Sequence, residues 1–394
     1  MPSSAKPQSL ALIAASELFQ LLRDGAPRTR AELSSITGMA RSTIGLRLDT
    51  LLELDLISPT GEGASSGGRP PSQFALNPSA KFVLAADIGA THATIAITNL
   101  SGMIVDESMG SIDIADGPPV VLNWMIETGL ALLARHDLSI DDVIAVGIGL
   151  PGPVEHSSGR PINPPIMPGW DQFDVPGFVR ERLEVPVLVD NDVNIMALGE
   201  QAFGRPQTDN LLFVKVATGI GAGVISAGRL MRGAQGIAGD IGHVQIARGA
   251  GVPCHCGNLG CLEALASGPA IAHALTGAGL DADGPAAVVE LVKHGNIQAI
   301  QAVRQAGRDL GEVLTACVSL MNPSVIAVGG SMAAVGDHLI AGVREIIYTR
   351  SMPLATSKLT IVQSTAGPNA AVLGAGILAI QHALSPQGID RMSL

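Results

Sequence analysis

Apolar residues recur at helical spacing through residues 9–23 (SLALIAASELFQLLR), and Gly25 and Pro27 end that run. Thr29 is placed to cap a short helix from Arg30 to Ile36, with Glu32 at the third position of a capping box. Gly38 supplies the next turn. A second helix, Ala40 to Leu56, carries Ile44, Leu48, Leu51, Leu52 and Leu56 on one face, and Arg41, Ser42, Thr43 and Arg47 on its exposed N-terminal face. A short strand (LISPT, 56–60), a Gly/Ser-rich tip (61–71) and a second strand (SQFALN, 72–77) follow. This is the order of a winged helix-turn-helix. In that reading Ser42, Thr43 and Arg47 face a major groove, and Arg69 at the hairpin tip reaches a phosphate or the minor groove. The plainer alternative is a three-helix packing domain with 60–71 as a linker; the order of all the parts favours the wing.

From Lys81 the pattern turns to strands. Phe82 to Ala86 is a buried strand running into Asp87-Ile88-Gly89-Ala90-Thr91, with an alternating strand from Thr94 to Thr98 behind it. A similar unit recurs about 130 residues on, where Leu211 to Val216 runs into Thr218-Gly219-Ile220-Gly221-Ala222-Gly223. Two hairpins with glycine-rich tips, one in each half, suit backbone N–H contact with phosphate oxygens. The G-x-G-x-G is no dinucleotide fingerprint, because strand-forming residues follow it. Between the units, a strand from Val143 to Gly149 ends in Leu150-Pro151-Gly152, and one from Pro186 to Val189 ends in Asp190-Asn191-Asp192-Val193-Asn194 before a helix, Ile195 to Phe203. Such a polar group at a strand's end marks a crevice; the alternative is a helix N-terminus capped by Asp192 or Asn194. A strand over 322–330 ends in Gly329-Gly330 ahead of a helix, where a flat ligand such as an adenine has room to lie.

Of the chain's 24 basic and 35 acidic side chains, seven of each fall within residues 1–78, so the remainder carries the whole deficit of −11. An acidic body does not bind nucleic acid by itself, and any DNA contact falls to the N-terminal segment. A 3% aromatic content argues against binding by ring stacking. No stretch has the form of a signal peptide, and the longest apolar run, Ala370 to Ile380, is shorter than the ~20 residues a bilayer needs. A cytoplasmic protein with no membrane partner is expected. A length of 394 residues suits two or three domains.

Three of the four cysteines lie in Cys254-His255-Cys256-Gly257-Asn258-Leu259-Gly260-Cys261-Leu262-Glu263, downstream of Gly239-Asp240-Ile241-Gly242-His243. Four soft or borderline ligands in this pattern point to structural Zn²⁺ rather than to disulfides or free thiols. His255 is the weaker fourth ligand, because its side chain should point away from an ion shared by its neighbours. Asp240 and Glu263 are carboxylates that a metal would hold in place.

Together these residues resemble the ROK family of bacterial sugar kinases and sugar-responsive repressors, over about residues 9–382. The most specific match is G-D-I-G-H at 239–243 with C-H-C-G-N-L-G-C-L-E at 254–263. The resemblance implies an α/β fold: an N-terminal winged helix-turn-helix (1–78), then a two-lobed actin-like, ribonuclease-H-like sugar kinase fold (79–394). The lobes would be approximately 79–200 plus the C-terminal helix, and 201–370. It implies His243, Cys254, Cys256 and Cys261 as zinc ligands, with His243 also open to direct contact with the sugar. Gly152, Asn191, Asp192, Asp240, His243 and Glu263 would surround the sugar. Asp87, Gly89, Thr91, Thr218, Gly219 and Gly221 match phosphate-binding loops. In the family's kinases the residue matching Asp192 is the general base toward ATP/Mg²⁺.

The first loop departs from the kinase pattern D-I-G-G-T-K, reading D-I-G-A-T-H with Ala90 and His92, and Asp240 stands where the family has glutamate. The kinases lack the winged helix. The expected function is therefore a DNA-binding repressor of carbohydrate-metabolism genes. It would act as a homodimer or dimer of dimers on a palindromic double-stranded operator, with a sugar effector in the cleft. An ATP-dependent sugar kinase is the alternative that the retained Asp192 keeps open.

Overall fold

The structure, a computed structural model, describes residues 15–62 and 71–392. The head begins with helix α1 (15–20), strand β1 (Arg28–Thr29), α2 (Arg30–Thr37) and α3 (Arg41–Glu53), then β2 (Ile57–Glu62) and β3 (Ser72–Leu76). The capping box forms: Thr29 accepts from the Glu32 backbone N–H, and Glu32 accepts from that of Thr29 at 2.7 Å. Gly38, left-handed at φ 71°, closes α2 and supplies the turn. Strands β1, β3 and β2 pair antiparallel in that order. β1 was not foreseen, since two residues carry no periodicity. α3 ends three residues earlier than expected, so Leu56 is buried from the turn beyond it.

Two five-stranded sheets of identical topology follow. The first is built from β4 (Phe82–Ile88), β5 (His92–Asn99), β6 (Ile104–Ser111), β7 (Val143–Leu150) and β10 (Val187–Asn191), in the order β10-β7-β4-β5-β6. The first hairpin is antiparallel, and β7 and β10 add in parallel. Helix α4 (Pro118–Arg135), the small ribbon of β8 (Val154–Glu155) and β9 (Arg160–Pro161), and α5 (Val175–Leu183) complete this lobe. The second sheet, β13-β12-β11-β14-β15, repeats the plan with β11 (Leu211–Val216), β12 (Ile220–Ser226), β13 (Arg229–Met231), β14 (Val325–Gly329) and β15 (Thr360–Gln363). Its helices are α7 (Glu263–Ala266), α8 (Gly268–Gly277), α9 (Pro285–Lys293), α10 (Ile297–Met321), α11 (Asp337–Arg350) and α12 (Pro353–Thr356). This is the two-lobed actin-like architecture.

The lobes meet through α6 (Asp192–Gly199) and α13 (Ala370–Ala383), which lie against each other between the sheets. α13 rests on β4 and β7, and α6 on β11 and β12. Glycine permits this spacing: a Cβ on Gly374 would lie 1.7 Å from the Ile195 carbonyl oxygen, and one on Gly223 would lie 2.5 Å from the Ala197 Cβ. The apolar run Ala370 to Ile380 is thus the central helix of the molecule. No helix among the described residues is long and apolar enough to cross a membrane.

The head is not isolated from the body. Phe19, Leu22, Leu48 and Leu51 share one core with Val83, Ala145, Ile380, Ala383 and Leu384, the last following α13, and with Ile389 of α14 (Pro386–Met392). Gln20 Nε2 donates to the Leu384 carbonyl at 2.9 Å.

Candidate functional site

Parallel strands β4, β7 and β10 end on one edge, and their register sets Asp87, Gly149 and Asp190 in a row. The carboxyl ends of parallel strands form the crevice where α/β proteins bind ligands. Asp192 opens α6 and is buried. The alternative of a helix capped by Asp192 or Asn194 does not form; Asn191 caps the helix, its Oδ1 accepting from the Val193 N–H at 2.9 Å. Asn191 Nδ2 donates to the Gly152 carbonyl at 2.8 Å, which ties two expected sugar contacts to each other.

The expectation that this polar group lines an open crevice is corrected for Asp190 and Asn194. Both are buried, and Asn194 Nδ2 donates to Asp190 Oδ1 at 2.8 Å. Arg232, beyond β13 in the other lobe, donates through Nε to Asp190 Oδ2 at 2.6 Å. The acid-amide cluster therefore anchors one lobe to the other as well as facing the cleft.

Lys215 crosses the cleft. It is the penultimate residue of β11, as Asp87 is of β4 in the matching sheet, and its ammonium forms an ion pair with the Asp192 carboxylate. Burial alone would lower the Lys215 pKa; Asp192, with Asp87 and Glu263 adding to it, raises it instead. Burial, reinforced by the Asp192 charge, pushes the Asp87 carboxyl up to about 6. Lys215 and Arg232 were missed by sequence reasoning. The first had a signal: Lys215 is a lone charge in the apolar strand LLFVKV.

The second glycine loop meets Glu263, whose Oε2 accepts from the Ile220 N–H at 2.9 Å. A Cβ on Gly219 would lie 2.7 Å from that oxygen. Thr218 belongs to the same tip and Gly221 lies in β12 beside Lys215, whereas Gly89 and Thr91 form the tip of the first hairpin, with Thr91 exposed. The room expected beside Gly329-Gly330 is filled on the Cβ side: Gly329 faces the Phe213 ring and Gly330 the Val216 backbone.

His243, Cys254, Cys256 and Cys261 bring one ligand atom each within 4.8 Å of one another, a cluster that can hold a metal ion. His243 Nδ1 lies 3.8 Å from Cys254 Sγ, and Cys256 Sγ lies 3.7 Å from Cys261 Sγ. His243 Nε2 faces the exposed Asp240 carboxylate at 3.9 Å. His255 is exposed and outside the cluster. Burial, with the neighbouring thiols, pushes the Cys261 thiol up to about 12. Glu263 begins α7 two residues after Cys261, so the cluster holds the backbone that aims this carboxylate. A cavity of about 310 Å³ opens beside it, lined by Cys254, His255, Glu263 and His273 among others.

On the head, Arg41, Ser42 and Thr43 are exposed on the first turn of α3. Arg47, expected on the exposed face, is half-buried, and its Nη1 has no hydrogen-bond partner among the described residues. Arg69 lies outside the described residues.

Paired lobes with a polar interlobe cleft, a Cys₃His cluster behind Glu263 and a small N-terminal head of helices and a three-stranded sheet define a kinase-like body joined to a head. The ROK family model matches residues 83–382, and the chain belongs to the ROK family. It is 28% identical over 368 residues to the xylose repressor of Bacillus spizizenii, covering 93% of this chain and 94% of that protein. The crystal structure of a ROK family transcriptional regulator homologous to the Escherichia coli MLC protein superposes with a TM-score of 0.84 at 27% identity, covering 98% of this chain and 99% of the other. The ROK hexokinase of Thermus thermophilus matches with a TM-score of 0.63 at 27% identity, covering 97% of that chain but 76% of this one.

Proposed function

We propose that this protein is a sugar-responsive transcriptional repressor of carbohydrate-metabolism genes. The observation that carries this reading is the extent of likeness. A repressor and a transcriptional regulator match nearly end to end, head included, whereas the hexokinase match covers about three quarters of the chain. In this reading residues 1–78 bind the operator and 79–394 sense the sugar. Ser42, Thr43 and Arg47 enter the major groove, with Arg41 and Arg69 on the phosphate backbone or in the minor groove. Arg47 Nη1 is shielded from solvent and has no hydrogen-bond partner among the described residues, so a DNA contact requires this side chain to turn outward. One head reads a short half-site, so specificity requires a dimer on a palindrome.

The sugar lies between Asn191 and Asp192 on one side and Glu263 on the other, with Gly152, Asp240 and His243 around it. The metal is zinc in this reading: a tetrahedron with bonds of about 2.3 Å has edges of about 3.8 Å, which suits the spacing of the four donors. His243 would be the nitrogen ligand, its Nδ1 facing Cys254, and Asp240 stands 3.9 Å from the other ring nitrogen. Zinc would make thiolates of the three cysteines and stiffen the backbone ahead of Glu263. Sugar favours closure of the lobes. The stacked α6 and α13 carry that movement to the head, because the end of α13 shares the head's core. DNA affinity falls if the closed state binds sugar much more tightly.

Fluorescence anisotropy on the upstream region of the neighbouring operon tests this, with and without monosaccharides and N-acetylated sugars. Arg47→Ala should weaken specific binding, and Asp192→Ala should bind DNA but ignore the effector. An Asp192→Ala variant that responds like the wild type refutes the cleft as sensor. A sugar kinase using ATP and Mg²⁺ is the second reading, favoured by Asp192 at the start of α6 with Asp87 on the same row of strand ends.

A further inference from the structure

Three carboxylates act on the Lys215 ammonium in the cleft, Asp192 by direct contact. Asp87 ends the first strand of one lobe, Asp192 starts α6, and Glu263 is held against the glycine loop of the other lobe. Oxygen ligands gathered this way suit hard divalent cations, and magnesium is usually held by one or two carboxylates together with a nucleotide's phosphates. Here a side chain of the protein already sits among them. Lys215 reaches from β11, at the position matching Asp87 in the repeated fold, and its ammonium is paired with Asp192. It is partly buried, so its charge is weakly screened. A lysine ammonium is a compact point charge that can stand where a small cation would.

We propose that Lys215 is the cleft's internal counter-cation, occupying Asp192 and excluding a divalent cation with its nucleotide, so that the cleft receives a sugar without either. This rests on the reading of the cleft as a sugar receptor. It adds a specificity-determining residue to it. The ion pair also engages the carboxylate that a phosphoryl transfer would need as proton acceptor, a function worth about 10²–10⁴-fold in rate where it operates. Glu263 and Asp87 both strengthen the hold on the lysine charge, the direction expected of a built-in cation.

The test is an electron paramagnetic resonance titration of free Mn²⁺ with the zinc-loaded, full-length protein, using MnCl₂ alone and MnCl₂ with ATP. Wild type and Lys215→Arg should leave Mn²⁺ free at the cleft. Lys215→Met should bind it at least about a hundredfold more tightly, since two unit charges roughly 4 Å apart at an effective dielectric near 20 repel by an amount worth about a thousandfold and Mn²⁺ carries two charges. Adding Asp87→Asn to Lys215→Met should remove the gain. Lys215→Gln makes the same prediction with a polar side chain if the methionine variant does not fold. Folded neutral variants that bind no more Mn²⁺ than wild type overturn the proposal. So does a wild type that binds one Mn²⁺ and loses it on Asp87→Asn. Neither outcome depends on whether a sugar changes DNA affinity, so failure of the repressor reading is seen separately.

Discussion

Replacing Arg232 by methionine tests how strongly the two lobes are tied beside the cleft. Arg232 Nε donates to Asp190 Oδ2 at 2.6 Å, and the Asp190 side chain is 1% exposed. Removing one partner of a buried pair costs about 3–5 kcal/mol, because the remaining charge stays buried. Asp190 keeps its bonds from Asn194 and from the Asn191 N–H, and Arg232 is itself 22% exposed, which places the expected loss near the lower end, about 3 kcal/mol. At roughly 2–4 °C per kcal/mol for units of this size, the melting temperature should fall by at least roughly 6 °C. The assay is calorimetry with matched chemical denaturation. In an Asp190→Asn background the same arginine change removes a hydrogen bond to a neutral amide rather than a full ion pair, so it should cost only about 1.5 kcal/mol. If the two changes add within about 0.5 kcal/mol, the side chains are not coupled and the interlobe tie is refuted.

Purified protein should contain one zinc per chain, and Cys256→Ser should lose it together with the sugar response; elemental analysis well below one zinc in the wild type contradicts the ligand set. Asp87, raised from 3.8 to about 6, keeps its proton in the folded chain at pH values where the unfolded chain has lost it. Between those values the folded state binds more protons, so this group's contribution to stability falls as pH rises and is lost above the folded value. Melting temperatures should therefore show the wild type losing ground to Asp87→Asn between about pH 4.5 and pH 7, whereas a constant difference removes the assigned shift. With Ala90 and His92 in the first loop, a coupled assay with ATP and a sugar panel should find turnover well under about 1 s⁻¹, and a faster rate on any common sugar reverses the non-enzyme reading.

What the residues determined by themselves is local or repeated. The Thr29–Glu32 capping box, the Gly38 turn and the apolar face formed by Ile44, Leu48 and Leu51 depend on neighbours three or four positions apart and could be read without coordinates, whereas Arg47 was placed on the exposed face and is half-buried. The metal cluster was legible for a similar reason: two tight turns bring three cysteines together within eight residues. The two glycine-tipped hairpins showed the repeat, although β6, outside the first hairpin, left no distinct signal. Only the tertiary structure decided the rest, because it depends on partners far apart in sequence. Asp190 looked like a cleft residue until Arg232, 42 residues away, was found to bury its charge. Asn191 proved to be the helix cap because α6 begins earlier than the apolar pattern suggested. Lys215 stood out as a charge in an apolar strand, but its partner Asp192 enters from the opposite lobe. No pattern along one chain segment encodes that meeting; the stacking of α6 on β11 and β12 does, by setting the helix's first turn above the lysine.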